Sequence, residues 1–290
     1  MKTRCLAILA ALAPVAALAA NPMSVSEELD AVYSYVGDAN TRGVGLSHGE
    51  IDEQSSDLKY VVSPQVNKDL LLRFGAEWQR FSFDVPDHAA MPRLLQQASG
   101  VLGFDYQVAD QWLMRVECEP GIYGDFENIN WRDFNAPLVI AGIYLADADL
   151  QWLLGIRVDV RCEYPVLPVA GVRWKFADQW TLNLMLPSPR LEYAVNDRLT
   201  LYTGGGVEAG TFATGETFGT EHGEPKLDGA IVDFFELRLD AGFSWKLTPS
   251  VTVEAEVGYM PYRWFDFSEP DIDFRSYNAP YGQLACHARF

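Results

Sequence analysis

Between Glu236 and Lys246 apolar and polar residues alternate without a break. Leu237, Leu239, Ala241, Phe243 and Trp245 take the odd positions; Glu236, Arg238, Asp240, Gly242, Ser244 and Lys246 take the even ones. The next stretch repeats the pattern, Val251, Val253, Ala255, Val257 and Tyr259 standing against Thr252, Glu254, Glu256 and Gly258. So do Trp152, Leu154, Ile156, Val158 and Val160 against Gly155, Arg157, Asp159 and Arg161. Val172, Trp174 and Phe176 face Arg173 and Lys175; Trp112, Met114, Val116 and Cys118 face Arg115, Glu117 and Glu119. A period of two predicts strands with one apolar and one polar face. The clearest runs last about 9–13 residues, where a tilted strand needs about 9–11 to cross a bilayer and a soluble strand averages about five or six.

The connections are of two kinds. Short turns stand at Val108-Ala-Asp-Gln-Trp112, Phe176-Ala-Asp-Gln-Trp180, Val195-Asn-Asp-Arg-Leu199, Leu247-Thr-Pro-Ser-Val251 and 145–150, where Asp, Asn, Ser and Pro favour tight reversal. Longer acidic connections fall near 48–57, 84–100, 124–135, 213–229 and 266–278. This asymmetry is that of an outer-membrane barrel, with turns in the periplasm and loops outside. Trp112, Trp152, Trp180, Trp245 and Phe290 lie near the turns, and Tyr123, Phe126, Trp131, Tyr164, Tyr259, Tyr262 and Trp264 near the loops, which predicts an aromatic girdle at each interface.

The fold expected is all-β, a transmembrane up-and-down antiparallel β-barrel of about 14 strands. They lie near 30–47, 56–63, 68–83, 101–109, 111–122, 137–146, 150–162, 167–176, 180–186, 190–195, 199–212, 230–246, 250–265 and 279–290. Twelve is the alternative, because Pro187-Ser-Pro189 joins strands too short to span and the stretch before Lys59 is poorly patterned. The last strand sets Leu284, Cys286, Ala288 and Phe290 on one face. A terminal Phe290 resembles the signal read by the barrel-assembly machinery.

Lys2 and Arg4 precede an apolar run from Leu6 to Leu18 that ends in small residues. This predicts a signal peptide over 1–20, a barrel domain over 21–290 and a place in the bacterial outer membrane. The expected partners are outer-membrane lipid and lipopolysaccharide. Of the four cysteines, Cys118, Cys162 and Cys286 would remain, an odd number with no zinc spacing; buried or lipid-facing thiols are expected, with one disulfide as the alternative.

Composition changes the picture only after this sorting. The chain of 290 residues is 49% hydrophobic with a mean hydropathy near zero, which excludes a helical membrane protein but is what opposite faces average to in a barrel. Lys and Arg total 22 against 40 Asp and Glu, a net charge of −18, so no nucleic-acid partner is expected. Parity assigns nearly equal numbers of acids and bases to the inner face and leaves most of the negative charge in the loops. The candidate lumen-lining residues are Arg115, Glu117, Arg157, Asp159, Arg161, Arg173, Lys175, Glu236, Arg238, Asp240, Glu254, Glu256, His287 and Arg289.

No catalytic residue, cofactor or metal site is expected. His48, His88 and His222 fall in loops, and His287 on the final strand has no nucleophile close in sequence. Glu269-Pro-Asp-Ile-Asp273 lacks calcium-loop spacing, although acidic loops could bridge to lipopolysaccharide through divalent ions. Gly204-Gly-Gly206 precedes no helix and reads as a bend in a closing sheet rather than a phosphate loop.

Several stretches together resemble a family of bacterial outer-membrane β-barrel proteins of unknown function. They are Met91-Pro-Arg-Leu-Leu95, Pro120-Gly-Ile-Tyr-Gly-Asp125, Pro165-Val-Leu-Pro-Val-Ala-Gly-Val-Arg-Trp174, Leu186-Pro-Ser-Pro-Arg-Leu-Glu-Tyr193 and Leu201-Tyr-Thr-Gly-Gly205. The resemblance implies a fold and a compartment and supplies no catalytic residues. The function expected is a porin-like channel or transporter for small solutes. A non-conducting barrel presenting acidic loops is the alternative, an outer-membrane hydrolase the third reading, and a secreted β-sandwich the remaining one.

Overall fold

Alternating strands with greasy outer faces can satisfy their backbone in lipid only by closing on themselves. The computed structural model describes residues 24–43, 46–86 and 89–290, with the side chains of 46–48 left out. The signal peptide expected over 1–20, Cys5 and His88 lie outside the described residues, as does the side chain of His48. The strands are β1 (Val25–Gly43), β2 (Leu46–Asn67), β3 (Leu70–Phe83), β4 (Leu94–Ala109), β5 (Trp112–Cys118), β6 (Gly121–Gly124), β7 (Phe134–Asn135), β8 (Leu138–Leu145) and β9 (Leu150–Val158). They continue with β10 (Val166–Ala177), β11 (Trp180–Asn183), β12 (Arg190–Ala194), β13 (Leu199–Ala213), β14 (Ile231–Lys246), β15 (Val251–Phe267), β16 (Ile272–Tyr277) and β17 (Ala279–Arg289).

In three places two segments form one stave interrupted by a break: β5 with β6, β7 with β8, and β16 with β17. The described residues thus make a closed antiparallel barrel of 14 staves. β1 closes it by pairing with β17 from Glu28↔Arg289 to Val36↔Tyr281.

The staves differ in height, and this shapes the interior. β11 and β12 are four and five residues long, and their hairpin ends where the Val207 amide bonds to the Pro187 carbonyl. Gly204 lets this hairpin lie close, since a Cβ there would strike the Pro189 carbonyl and the Arg190 backbone. Beyond it β13 runs on to Ala213, where it meets not β12 but β6, in a parallel bridge to Gly124. At the loop end the wall is therefore β1, β2, β3, β4, β6, β13, β14, β15 and β16, closed by β1 against β16. Fourteen staves at the turn end narrow to nine at the loop end.

The apolar face changes side at this narrowing. On β3, Phe74, Ala76 and Trp78 point outward and are exposed, whereas Phe81 and Phe83 point inward and are buried, with Arg80 exposed outside. On β14, Val232 and Phe234 are inward, while Leu239, Phe243 and Trp245 face out. The lower barrel is greasy outside, as lipid requires; the upper is greasy inside, as water requires. Leu154 is 64% and Val257 70% exposed on the lower outer surface. The upper interior is a packed layer of Ile51, Phe81, Phe83, Phe212, Phe234 and Phe265, with Phe81 and Phe234 ring centroids 4.7 Å apart. Met91, Leu95 and Leu227 cap it.

Several sequence expectations are corrected here. The stretch 48–57 is strand, part of β2, because its inward residues Ile51 and Glu53 pack inside the narrow ring. The stretch 266–278 is likewise mostly strand, turning at 268–271, and β4 begins at Leu94 rather than 101. β9 ends at Val158. Tyr123 is no girdle residue: it points inward, donates to the Glu119 carbonyl at 2.7 Å and joins the phenylalanine layer. Cys118, Cys162 and Cys286 are free thiols, as expected, and the alternative disulfide does not form among them.

Candidate functional site

The inner face below the phenylalanine layer carries many charged side chains, several of them buried. Directly under the layer four of them form a closed ring. Arg263 reaches Glu53 at 2.7 Å and Glu236 at 2.6 Å, and Arg238 reaches Glu236 at 2.5 Å and Glu53 at 3.2 Å. The side chains of Arg263, Glu53 and Glu236 have 0% exposure. Charges so far from water persist only when each finds its counter-charge.

Below this ring one wall gathers around Lys59, whose ammonium lies 2.7 Å from Glu119, 2.8 Å from Glu77 and 3.3 Å from Glu117. Arg73 adds a bond to Glu117 at 2.8 Å, and Arg115 grips Asp105 through two bonds of 2.7 and 2.6 Å, the fork geometry guanidinium offers a carboxylate. Another wall centres on Arg190, which bonds Glu192 at 3.0 Å and Glu254 at 3.1 Å and lies 4.6 Å over the Tyr202 ring. The hydroxyls of Tyr202 and Tyr281 donate to Glu256. At the turn end Asp30 holds His287 at 2.6 Å and Arg289 at 2.8 Å. Among the described residues no hydroxyl bonds the other nitrogen of His287.

Of the other sequence candidates, Arg173 lies 3.9 Å from Glu192, Lys175 is exposed near the turn end, and Asp240 faces inward half-buried. Arg157 pairs with Asp159 at 3.3 Å at the top of β9. Arg161 lies beyond that strand, in the connection 159–165, and donates to the Trp131 carbonyl at 3.2 Å. Sequence reasoning missed Glu53, Lys59, Arg263 and Tyr281. Glu53 was hidden in a supposed loop. Arg263 follows a register shift between Leu237 and Leu239 of the paired strand, after which odd residues of β15 turn inward.

The inner face is not charged all round. Leu113, Val139, Ala141, Ile143, Leu153 and Val169 point inward from β5 to β10 and form a second apolar cluster. Above it the wall has an interruption. Among the described residues no pairing joins 166–170 of β10 to 208–212 of β13, because the β11–β12 hairpin ends below both. The connection 159–165 crosses this flank. Its Glu163 amide donates to Asp233 at 3.0 Å and its Cys162 thiol at 3.7 Å, while Thr211 holds the other oxygen at 2.6 Å. Burial and the neighbouring Asp233 push the Cys162 thiol up to about 11.

Three of the stretches that carry the family resemblance meet at this narrowing: the 120–125 segment reaches β13, the 186–193 hairpin stops short, and Met91 and Leu95 cap the plug. A family model described as "Domain of unknown function (DUF6268)" matches residues 65–284. The chain belongs to this family. The DUF6268 protein has an all-β fold, a closed antiparallel barrel, and the comparison with solved structures returns outer-membrane barrels of low sequence identity. An outer membrane channel from Pseudomonas putida F1 is 10% identical with a TM-score of 0.49, covering 96% of this chain and 100% of its own. A mutant of TodX, a monoaromatic hydrocarbon channel, is 9% identical with a TM-score of 0.42 over 93% of this chain and 91% of its own. A FadL homologue from Pseudomonas aeruginosa is 10% identical with a TM-score of 0.38 over 92% and 90%. A comparison with curated protein sequences finds no match.

Proposed function

We propose that this DUF6268 barrel is an outer-membrane channel for small solutes, with its axial path shut at the loop end and its way out through the flank between β10 and β13. The turn end is read as periplasmic and the loops as external. The observation that carries this reading is the uneven wall. Below the plug the lumen keeps partly exposed charges, Arg173, Arg190, Glu208 and Glu254 among them, so water reaches it. Above, among the described residues, the phenylalanine layer and the Arg263 ring fill the axis. What remains is the flank over the short hairpin, covered by one connection that Asp233 fastens.

Acids and bases facing each other across a small water-filled space set up a field that orients a polar solute without retaining it. Solutes carrying both signs or none fit such a lining better than strongly charged ions.

Planar-bilayer recording tests the reading. The parent protein is expected to give small, infrequent openings, and Asp233→Asn, which weakens the fastening of 159–165, a higher open fraction. A second reading, a non-conducting barrel that presents loops, is favoured by the fully buried ion ring and the plug. Silence from both proteins, with no swelling of loaded liposomes, would decide for it.

A further inference from the structure

In a chain with nearly twice as many acids as bases, three cations converge in one cleft at the loop end. Arg132, Arg161 and Lys226 line a cavity of about 570 Å³ with Asp228, Gly229 and Glu269. The three come from separate connections, and none has a carboxylate partner among the described residues. Arg132 lies over Gly229, where a Cβ would meet its guanidinium nitrogen at 2.5 Å. Asp228 is turned to other use: Thr220 donates to it through its amide at 2.7 Å and its hydroxyl at 2.6 Å. Glu269, exposed, is the other carboxylate of the cleft.

A second, independent feature adjoins the cations. Trp131 and Val160 are each 79% exposed, and Tyr164 and Val166 are exposed beside them. Trp131 is the residue before Arg132 and offers its carbonyl to Arg161. These apolar side chains stand at the top of β9 and β10, just above the lipid-facing Leu154 and Ile156. Aromatic rings beside long cationic side chains, at the level where hydrocarbon gives way to headgroups, form an amphipathic interface.

We propose that the cleft formed by Arg132, Arg161 and Lys226, with Trp131 and Tyr164 at its rim, binds the phosphate groups of an outer-leaflet glycolipid of the lipid A type. Guanidinium forks and an ammonium supply charge-assisted bonds to phosphate oxygens, and the rim residues rest on the upper part of the acyl chains. Bound there, the lipid touches the connection 159–165 that covers the flank opening.

The test uses the full chain folded in detergent micelles, with folding checked by the shift in gel mobility on boiling. Isothermal titration calorimetry follows titration with bis-phosphorylated lipid A, dephosphorylated lipid A and inorganic diphosphate. The parent is expected to bind phosphorylated lipid A at least tenfold more tightly than the dephosphorylated form or diphosphate. R132Q/R161Q/K226Q should lose that preference, and R132K/R161K should keep most of it. Should the triple variant fail to fold, R132Q and K226Q, both at exposed positions, should each weaken binding about fivefold, the worth of one cation at an anionic surface. The proposal is overturned if dephosphorylated lipid binds as tightly as phosphorylated, if the variants bind within twofold of the parent, or if diphosphate binds as well as the lipid, which would mark a site for free anions.

Discussion

Arg263 shows how differently one residue type behaves across this interior. Its guanidinium has no exposure and bridges two carboxylates, so Arg263→Gln strands Glu53 and Glu236 in a dry site with Arg238 as their remaining counter-charge. The expected loss is about 3–5 kcal/mol, the cost of breaking a buried pair from one side. Arg173, a third exposed and 3.9 Å from Glu192, stands where water already screens the pair, and Arg173→Gln should cost at most about 1 kcal/mol. Denaturant unfolding of the folded barrel measures both, and equal losses would show that the ring is not the dry centre described. Parity read from the sequence placed Glu236 and Arg238 on the inner face, but not the partners that complete the ring. Glu53 and Arg263 come from strands joined only by barrel closure, and a register shift reverses the parity at Arg263.

At the scale of single strands, the change of face along β3 and β14 has a physical cause in the surroundings. Where the strand meets lipid, apolar residues belong outside; where it rises above the bilayer into a narrower ring, they belong inside. One strand therefore offers a direct comparison. Phe234→Ala empties part of the packed layer and should cost about 3–5 kcal/mol, whereas Phe243→Ala on the same strand leaves a gap that lipid fills and should cost far less. Unfolding midpoints of the two variants compare them under one condition. The switch was legible in principle, since Phe81 and Phe83 break the phase set by Phe74 and Trp78. It was obscured because the stretches beyond the switch carry polar outer positions and read as loops.

For the whole molecule, the boundary between lipid and water should also be readable from outside. Changing Leu154, exposed on the lower outer surface, to Arg should cost about 2–4 kcal/mol, the penalty of a charge on the lipid face of a barrel. Arg80, exposed on the outer surface of the narrow ring, should tolerate Leu with little change, because water rather than lipid surrounds it. Refolding into vesicles and comparing unfolding in both variants tests the placement; a reversed order would move the boundary. The uneven wall also explains why fourteen staves do not make a wide open pore. Nine staves enclose a space that side chains can fill, as small barrels do.

The alternation of the chain determined the strands, the closed sheet, the lipid-facing surface and the ion-rich lining, because period two is a local property that each strand carries in its own residues. Only the tertiary structure decided that β6 meets β13 across the short β11–β12 hairpin, that the upper barrel is plugged, and that cations from three separate connections share one cleft. Those outcomes depend on relative strand height and on contacts between residues far apart in the chain. Neither leaves a periodic trace along it.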